Sequence, residues 1–236
     1  MKDTLTRREA LGMLGVTGAA LSLIRCGDTP TSPSPAATTA TLPTTGTNAA
    51  CAVSPSETVG PYPSLADFFR SDIREGKSGT PLTLTITVVN ANTGCSPVAG
   101  ANVEIWQCDA DGRYSQYAQP GYNGQSETFL RGIQTSDSAG RVTFTTIYPG
   151  WYMGRATHIH VDVSVNGRSV KVTQIAFPEN ITAALYATGV YAAKGQNPTT
   201  NAGDNVFADS VASEMASVAG SPTGGYTATF TVGIAV

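Results

Sequence analysis

The sequence has few charged side chains, four cysteines and only two histidines among its 236 residues. Charged residues make up 13% of the chain and the formal net charge is −3, so the basic surface that nucleic-acid binding needs is absent. The cysteines form no cluster, and no third histidine exists to complete a metal site. What remains is 41% apolar residues with 25 Gly, 14 Pro and many Thr-rich alternating runs. This composition is typical of one sizeable exported all-β domain.

Residues 1–26 have the features of an export signal. The apolar run from Leu11 to Ile24 follows a short charged region and is too short for a comfortable permanent anchor. The stretch around Arg7-Arg8 resembles a twin-arginine signal, with an ordinary secretion signal as the alternative. We therefore expect an exported protein that is periplasmic, held at the cell surface as a lipoprotein, or extracellular.

Cys26 ends the apolar run and resembles a bacterial lipoprotein cleavage site, although Arg25 departs from the small residue usual before such a cysteine. Lipidation at Cys26 therefore stays open, and a lipid there is the only membrane contact that we expect. Residues 27–50 hold eight Thr, four Pro and five Ala with a single charge, and this composition predicts a disordered linker. The oligomeric state does not follow from the sequence.

Residues 51–236 contain several segments in which apolar and polar residues alternate, as they do in half-buried strands. The predicted strands include Leu82–Val88, Ala101–Gln107, Arg141–Ile147, a strand that begins with the histidines, Ser169–Phe177 and Tyr226–Val236. Residues 115–132 are predicted to be loop, and residues 180–222 to be irregular with a short helix near 209–218. The fold class that we predict is an all-β antiparallel sandwich with long irregular loops and little helix.

Both histidines of the chain lie two residues apart in one predicted strand. The strand periodicity places His158, His160 and Asp162 on one face, opposite an apolar face. Two imidazoles on one rigid element suit a metal, whereas two hydrogen-bonded histidines on a half-exposed strand are the simpler alternative. A ferrous site of two histidines and a carboxylate would need Asp162 or a distant carboxylate, and three ligands on one straight strand cannot easily wrap one metal.

Two tyrosines offer a different way to complete a metal site. Tyr114 and Tyr152 both follow turns at strand ends, where site residues tend to lie. A phenolate is a hard anionic donor that binds ferric iron strongly. Two phenolates and two neutral imidazoles would leave ferric iron with a net charge of +1, suited to binding a catecholate dianion.

These residues carry a resemblance to the intradiol ring-cleavage dioxygenases, which extends over roughly residues 51–236. The matching segments are Leu82–Val88, residues 99–115, Thr135–Arg141 running on to Pro149-Gly150-Trp151-Tyr152, Arg155–His160 and the upstream Gly60-Pro61-Tyr62. The resemblance implies non-haem Fe(III) as the cofactor, with Tyr114, Tyr152, His158 and His160 as its ligands. It also implies O2 and a catechol-type aromatic substrate as partners. Tyr117 and Tyr122 lie near the first motif but do not fit its pattern.

The resemblance further implies that Arg155 stabilises anionic character in the bound substrate and that Gln174 supports the site from behind. It implies that Tyr152 leaves the metal when substrate binds and takes up a substrate proton. Cleavage of the bond between the two hydroxylated carbons would then give a muconate-type diacid. A plain two-residue turn at Asn166-Gly167 would face Gln174 away from the histidines, so this assignment needs a one-residue bulge, which we place at Gly167.

The alternative to an enzyme is a tethered β-sandwich that binds a partner without catalysis, because the fold alone fits either function. In an oxidising compartment we expect one disulfide among Cys51, Cys95 and Cys108. Cys95 and Cys108 are separated by an extended strand, so a bond from Cys51 to Cys95 is preferred to one from Cys51 to Cys108.

Overall fold

The structure, a computed structural model, describes residues 51–236. The export signal at 1–26, the lipidation site at Cys26 and the linker at 27–50 lie outside these residues. Within the described part of the chain, no helix combines the length and the apolar character that crossing a membrane would require.

Most of the regular structure in residues 51–236 is β-strand, as predicted. The strands are β1 (Pro81–Asn90), β2 (Ser96–Pro97), β3 (Asn102–Trp106), β4 (Ala118–Gln119), β5 (Tyr122–Asn123), β6 (Arg131–Thr135), β7 (Arg141–Ile147), β8 (His158–Val165), β9 (Arg168–Ala176), β10 (Ser217–Ser221) and β11 (Gly225–Ile234). The helices are α1 (Glu179–Tyr186) and α2 (Val211–Glu214), with short 3₁₀ turns at Ala91–Thr93 and Gly189–Tyr191.

The strands form two main sheets with a shared apolar core. One sheet has the order β10-β11-β1-β2, with β7 also paired to β1, and the other has the order β6-β3-β8-β9. Alternate residues of β1 and β8 point into the same core, and Leu84, Ile86, Val161 and Val163 are all fully buried there. The alternation that predicted these strands therefore also identified their buried faces, and the sandwich prediction is confirmed.

The structure differs from the sequence prediction in one strand pair and in several segments. β1 and β11 run parallel from Leu82↔Tyr226 to Asn90↔Ile234, so the sandwich is not purely antiparallel. The short strands β4 and β5 and the start of β6 lie inside the predicted loop at 115–132, and β10 and nearly all of α1 lie in the segment predicted to be irregular. β6 begins at the buried Arg131, and β10 exposes nearly all its residues, so neither shows the alternation that a sequence search detects.

The hairpin between β8 and β9 contains the bulge on which the assignment of Gln174 depended. Val165 pairs with Arg168 across the turn, as in a two-residue hairpin, but Val163 pairs with Lys171. One extra residue therefore lies in β9 beyond the turn, and not at Gly167 as expected. The shift places Gln174 opposite His160 and on the same face of the sheet.

A disulfide joins Cys51 to Cys95, as the sequence analysis preferred, with their Cα atoms 5.2 Å apart. Cys108 is the free cysteine among the described residues, and it is buried. The bond fastens the first described residue to the turn that follows β1. The first part of the segment between Cys51 and β1 then meets β9 and His160, through Glu57 N, which donates to Val172 O, and through Gly60.

Candidate metal centre

One cross-strand row of the β6-β3-β8-β9 sheet forms the floor of the site. Trp106 of β3 lies opposite His160 of β8, which lies opposite Gln174 of β9. The indole of Trp106 stacks on the imidazole of His160, with ring centroids 4.8 Å apart and planes inclined by 2°. Side chains that are directly opposite on one face of a sheet support each other in this way. The orientation of His160 is therefore set by a fully buried aromatic neighbour.

His158 begins β8 and is buried with its ring oriented by the backbone. Its Nδ1 donates a hydrogen bond of 2.6 Å to the carbonyl oxygen of Ala156, because a carbonyl can only accept. The lone pair of the imidazole is then on Nε2, which lies 3.2 Å from Nε2 of His160. Imidazoles that bind metals are typically held by a hydrogen bond from the other ring nitrogen, as His158 is.

Tyr114 reaches the same place from the turn that follows β3. The carboxylate of Asp109 accepts hydrogen bonds from the backbone N–H groups of Asp111 and Arg113, which shapes the turn just before Tyr114. The Tyr114 side chain is fully buried, and its Oη lies 3.5 Å from Nε2 of His158. A strand end and an Asp-Gly turn therefore position this phenol.

Tyr152 lies on the loop between β7 and β8. This half-buried side chain places its Oη 3.4 Å from Nε2 of His158. Its ring packs edge-on against the ring of Tyr114, with centroids 5.8 Å apart. Two phenol oxygens and two imidazole nitrogens thus converge on one point, and all four belong to residues predicted as ligands.

The three other donor atoms lie at distances from His158 Nε2 that suit a shared metal. Donors bound side by side to a metal at about 2 Å lie roughly 3 Å apart, and the distances around His158 Nε2 are 3.2, 3.4 and 3.5 Å. Among residues 51–236, no three His, Cys, Asp or Glu side chains are grouped to hold a metal. Asp162 instead accepts a hydrogen bond from Ser169, so the ferrous alternative with a carboxylate has no support in the geometry.

Burial keeps all four donor groups uncharged in the protein as it stands. It lowers the pKa of His158 to about 3, assisted by the positive charge of Arg155, and lowers the pKa of His160 well below its usual value. It raises the pKa of Tyr114 well above its usual value and the pKa of Tyr152 to about 12. The imidazoles are therefore neutral and ready to bind a metal, whereas the phenols need a strong Lewis acid to ionise them.

A strap formed by residues 56–62 covers the histidines. Its backbone is fastened to β9, because Glu57 N donates to Val172 O and Gln174 Nε2 donates to Thr58 O. Gly60 lies against His160 with φ +71°, and a Cβ there would be 2.8 Å from Cε1 of the imidazole. His160 thus has an indole stacked on one face and a glycine against its Cε1 edge.

Arg155 lies beside the donor cluster and is held by two partners. Its Nε donates to both carboxylate oxygens of Asp204, at 2.9 and 3.1 Å, and its Nη2 donates to Oε1 of Gln174 at 2.6 Å. Asp204 and Gln174 are both fully buried. The structure therefore brings all six residues of the predicted site together, and it adds Asp204, which the sequence analysis did not identify.

Arg131, which the sequence analysis did not identify, lies next to the ring of Tyr114. Arg131 is fully buried, and its Nε and Nη2 donate to Oγ and O of Ser115, while its Nη1 donates to the carbonyl oxygen of Tyr62. It therefore joins the strap to the segment that carries Tyr114. The sequence gives no signal of either role: Arg131 is a single arginine in a predicted loop, and Asp204 is a single aspartate among Asn, Thr and Gly.

Tyr117 and Tyr122 do not reach the donor cluster. The hydroxyl of Tyr117 donates to the carbonyl oxygen of Pro63, and its ring packs edge-on against Tyr62. Tyr122 packs under the guanidinium of Arg113, 5.0 Å from the ring centroid. Neither residue is therefore a ligand candidate, in agreement with their poor fit to the motif.

Residues 63–197 match a protein-family model described as "Dioxygenase", which is more than half of the chain. One curated relative is the 6-chlorohydroxyquinol 1,2-dioxygenase of Cupriavidus pinatubonensis, 31% identical over 123 residues that cover 44% of this chain and 42% of that protein. The curated relatives include a catechol 1,2-dioxygenase of Candida albicans, 35% identical over 36% of this chain and 33% of its own length. The matches span about a third to a half of the length of the curated relatives.

The fold is also found in solved structures. An intradiol ring-cleavage dioxygenase from Tetranychus urticae matches with a TM-score of 0.72 and 30% identity, over 78% of this chain and 95% of that one. The likeness to this structure covers nearly its whole chain, whereas the curated relatives are matched only in part.

Proposed function

We propose that this chain, which belongs to the family of intradiol ring-cleavage dioxygenases, uses a non-haem ferric ion to cleave catechol-type aromatic diols with O2. The products would be muconate-type diacids, formed by breaking the bond between the two hydroxylated carbons. The observation that carries the proposal is the convergence of two phenol oxygens and two imidazole nitrogens on one buried point.

The donor set fits ferric iron better than it fits a divalent metal. Two phenolates are hard anionic ligands, which match a small trivalent ion, and both phenols need such an ion to lose their protons at neutral pH. Ferric iron held by Tyr114, Tyr152, His158 and His160 would supply the Lewis acidity that binds both catechol oxygens and activates the ring towards O2.

The protein's own groups then have separate roles. Tyr152 is the more exposed of the two phenols. Once ionised as a ligand, its Oη would take up a proton from an incoming catechol hydroxyl. Tyr114 is enclosed and stays in place. Arg155 supplies a fixed positive charge next to both phenol oxygens, since it opposes the rise in pKa that burial causes at each. That charge would stabilise the anion that develops in the substrate ring.

The activity is tested with protein loaded with ferric iron and mixed with catechol in an oxygen electrode. We expect one O2 consumed per catechol and a product whose mass equals catechol plus two oxygen atoms. Tyr117→Phe is the matched control, because this tyrosine lies beside the cluster without reaching it. If iron-loaded protein binds catechol without consuming oxygen, the alternative of a non-catalytic binding module is favoured.

We also propose that the domain acts outside the cytoplasm. The signal-like sequence at residues 1–26 supports this proposal, and so does the disulfide between Cys51 and Cys95, because disulfides persist mainly in oxidising compartments. Fractionation of cells that express the full chain tests it: activity should leave the cytoplasmic fraction, and should remain there if the arginine pair at Arg7-Arg8 is replaced by lysines.

A further inference from the structure

We propose that Asp204 is the positioning residue of this site, which fixes the guanidinium of Arg155 so that its charge faces the bound substrate. The inference rests on the proposed ring-cleavage function, for which Arg155 supplies the stabilising charge. It extends that function to a residue that lies 49 positions away from Arg155 in the sequence.

Both carboxylate oxygens of Asp204 accept hydrogen bonds from the segment that leads into β8. Oδ1 accepts from Arg155 Nε at 3.1 Å and from Val206 N at 2.8 Å. Oδ2 accepts from Arg155 Nε at 2.9 Å and from Ala156 N at 2.6 Å. The side chain of Asp204 is fully buried, so water does not compete for these hydrogen bonds. The carboxylate therefore holds both the Nε–H group of Arg155 and the backbone N–H group of the next residue, Ala156.

The guanidinium is planar and rigid. When its Nε and one of its terminal nitrogens are both held, the direction of the whole group is fixed. Asp204 holds the Nε edge, and Gln174 accepts from Nη2 at 2.6 Å. The ring of Phe207 lies beside the group, with its centroid 5.8 Å from the guanidinium carbon. Arg155 directly follows Met153 and Gly154, the two exposed residues of this loop, so without these partners its long side chain could turn towards solvent.

The segment around Asp204 is anchored by contacts that do not involve its carboxylate. Asn197 Nδ2 donates to the carbonyl oxygen of Arg155 at 3.0 Å, and Asn201 Nδ2 donates to the carbonyl oxygen of Phe177 at 2.9 Å. A substitution at Asp204 therefore leaves these two connections in place. The carboxylate is needed for the direction of the guanidinium more than for the attachment of the loop.

The first measurement uses metal-free protein and needs no activity. The Arg155 Nε–H should be visible by NMR as a proton protected from exchange with water. Its exchange should accelerate about tenfold or more in Asp204→Asn, as expected on removing a charge-assisted hydrogen bond. Asp209→Asn is the matched control, because Asp209 is exposed on the same segment and has no hydrogen bond to Arg155. Equal exchange in the two variants would overturn the positioning role, whether or not the protein is an enzyme.

The second measurement is a double-mutant cycle on iron-loaded protein, with kcat expressed per bound iron. Asp204→Asn should lower kcat by about 10- to 100-fold with KM for catechol changed much less, because a small misplacement costs rate more than binding. In an Arg155→Met background the same change should cost little more, since Asp204 acts through Arg155. Losses that multiply would show a separate structural role. A wild type with protected Nε–H and no oxygen consumption would contradict the proposed function and leave the positioning role standing.

Discussion

The enclosure of His160 leads to a prediction about Gly60. Replacing Gly60 by alanine adds a Cβ that would be 2.8 Å from Cε1 and 3.2 Å from Nε2 of the imidazole. Real Cβ atoms do not approach so closely, so either the ring or the strap must move. The ring is buried and stacked on the buried indole of Trp106, so moving the ring would disturb that packing.

The expected cost has two parts. A residue with a Cβ at φ +71° costs about 1–2 kcal/mol relative to glycine, whatever surrounds it. Overpacking against a buried ring adds about 1–3 kcal/mol. Displacing His160 Nε2 from the other donors should also weaken metal binding by about 10- to 100-fold, as loss of a supporting contact around a metal does.

Gly76→Ala separates the two parts. Gly76 has φ +74°, and a Cβ at this position would meet no atom within 4 Å. Urea unfolding of the metal-free proteins should therefore show Gly60→Ala less stable than Gly76→Ala by about 1–3 kcal/mol. Iron titration should show weakened binding in Gly60→Ala alone. Equal losses of stability and unchanged iron affinity in both variants would refute the enclosure of His160.

Further predictions concern protons, the disulfide and the phenols. Burial raises the pKa of Glu214 from 4.5 to about 7, so between these pH values the folded state keeps a proton that the unfolded chain loses. The free energy of unfolding should therefore fall by up to about 3 kcal/mol as the pH rises from 4.5 to 7. Denaturation from pH 4.5 to 7 should show a smaller fall in Glu214→Gln than in wild type; burial also raises the pKa values of Glu57, Glu104 and Asp162, so part of the fall remains. Matching slopes would contradict the prediction. Reducing the bond between Cys51 and Cys95, 44 residues apart, should cost about 2–4 kcal/mol by the same assay, and an unchanged midpoint would refute this. Tyr152→Phe should lose most of the oxygen uptake of iron-loaded protein while Tyr117→Phe keeps it; equal activity would remove Tyr152 from the site.

The sequence was sufficient to predict the strands in which apolar and polar residues alternate, because one face of each is buried. It was also sufficient to predict which residues lie at the ends of these strands. β7 was predicted at its observed bounds, and β1 and β8 lie where their periodicity indicated. The two-residue spacing of His158 and His160 placed both side chains on one face of a strand. The choice of Tyr114 and Tyr152 rested on their positions after turns and on the resemblance. Local physics therefore accounts for the histidine pair, and the family motifs account for the tyrosines.

Features that depend on long-range packing were not predictable. The parallel pairing of β1 with β11 joins the beginning and the end of the domain, and no local pattern encodes it. Asp204 is buried only because a segment without periodicity folds back over Arg155. The side of the sheet that Gln174 faces depended on one bulge, whose existence followed from the resemblance but whose position did not.

The most direct test of the four-donor ferric site is a visible absorption spectrum of the iron-loaded domain, recorded before and after adding catechol under nitrogen. Tyrosinate bound to ferric iron absorbs visible light, so we expect a coloured protein whose band shifts when catechol enters the site without turnover. Tyr114→Phe and Tyr152→Phe should each alter that band, because each phenol oxygen lies within 3.5 Å of His158 Nε2. A protein that binds iron and stays colourless would contradict the account.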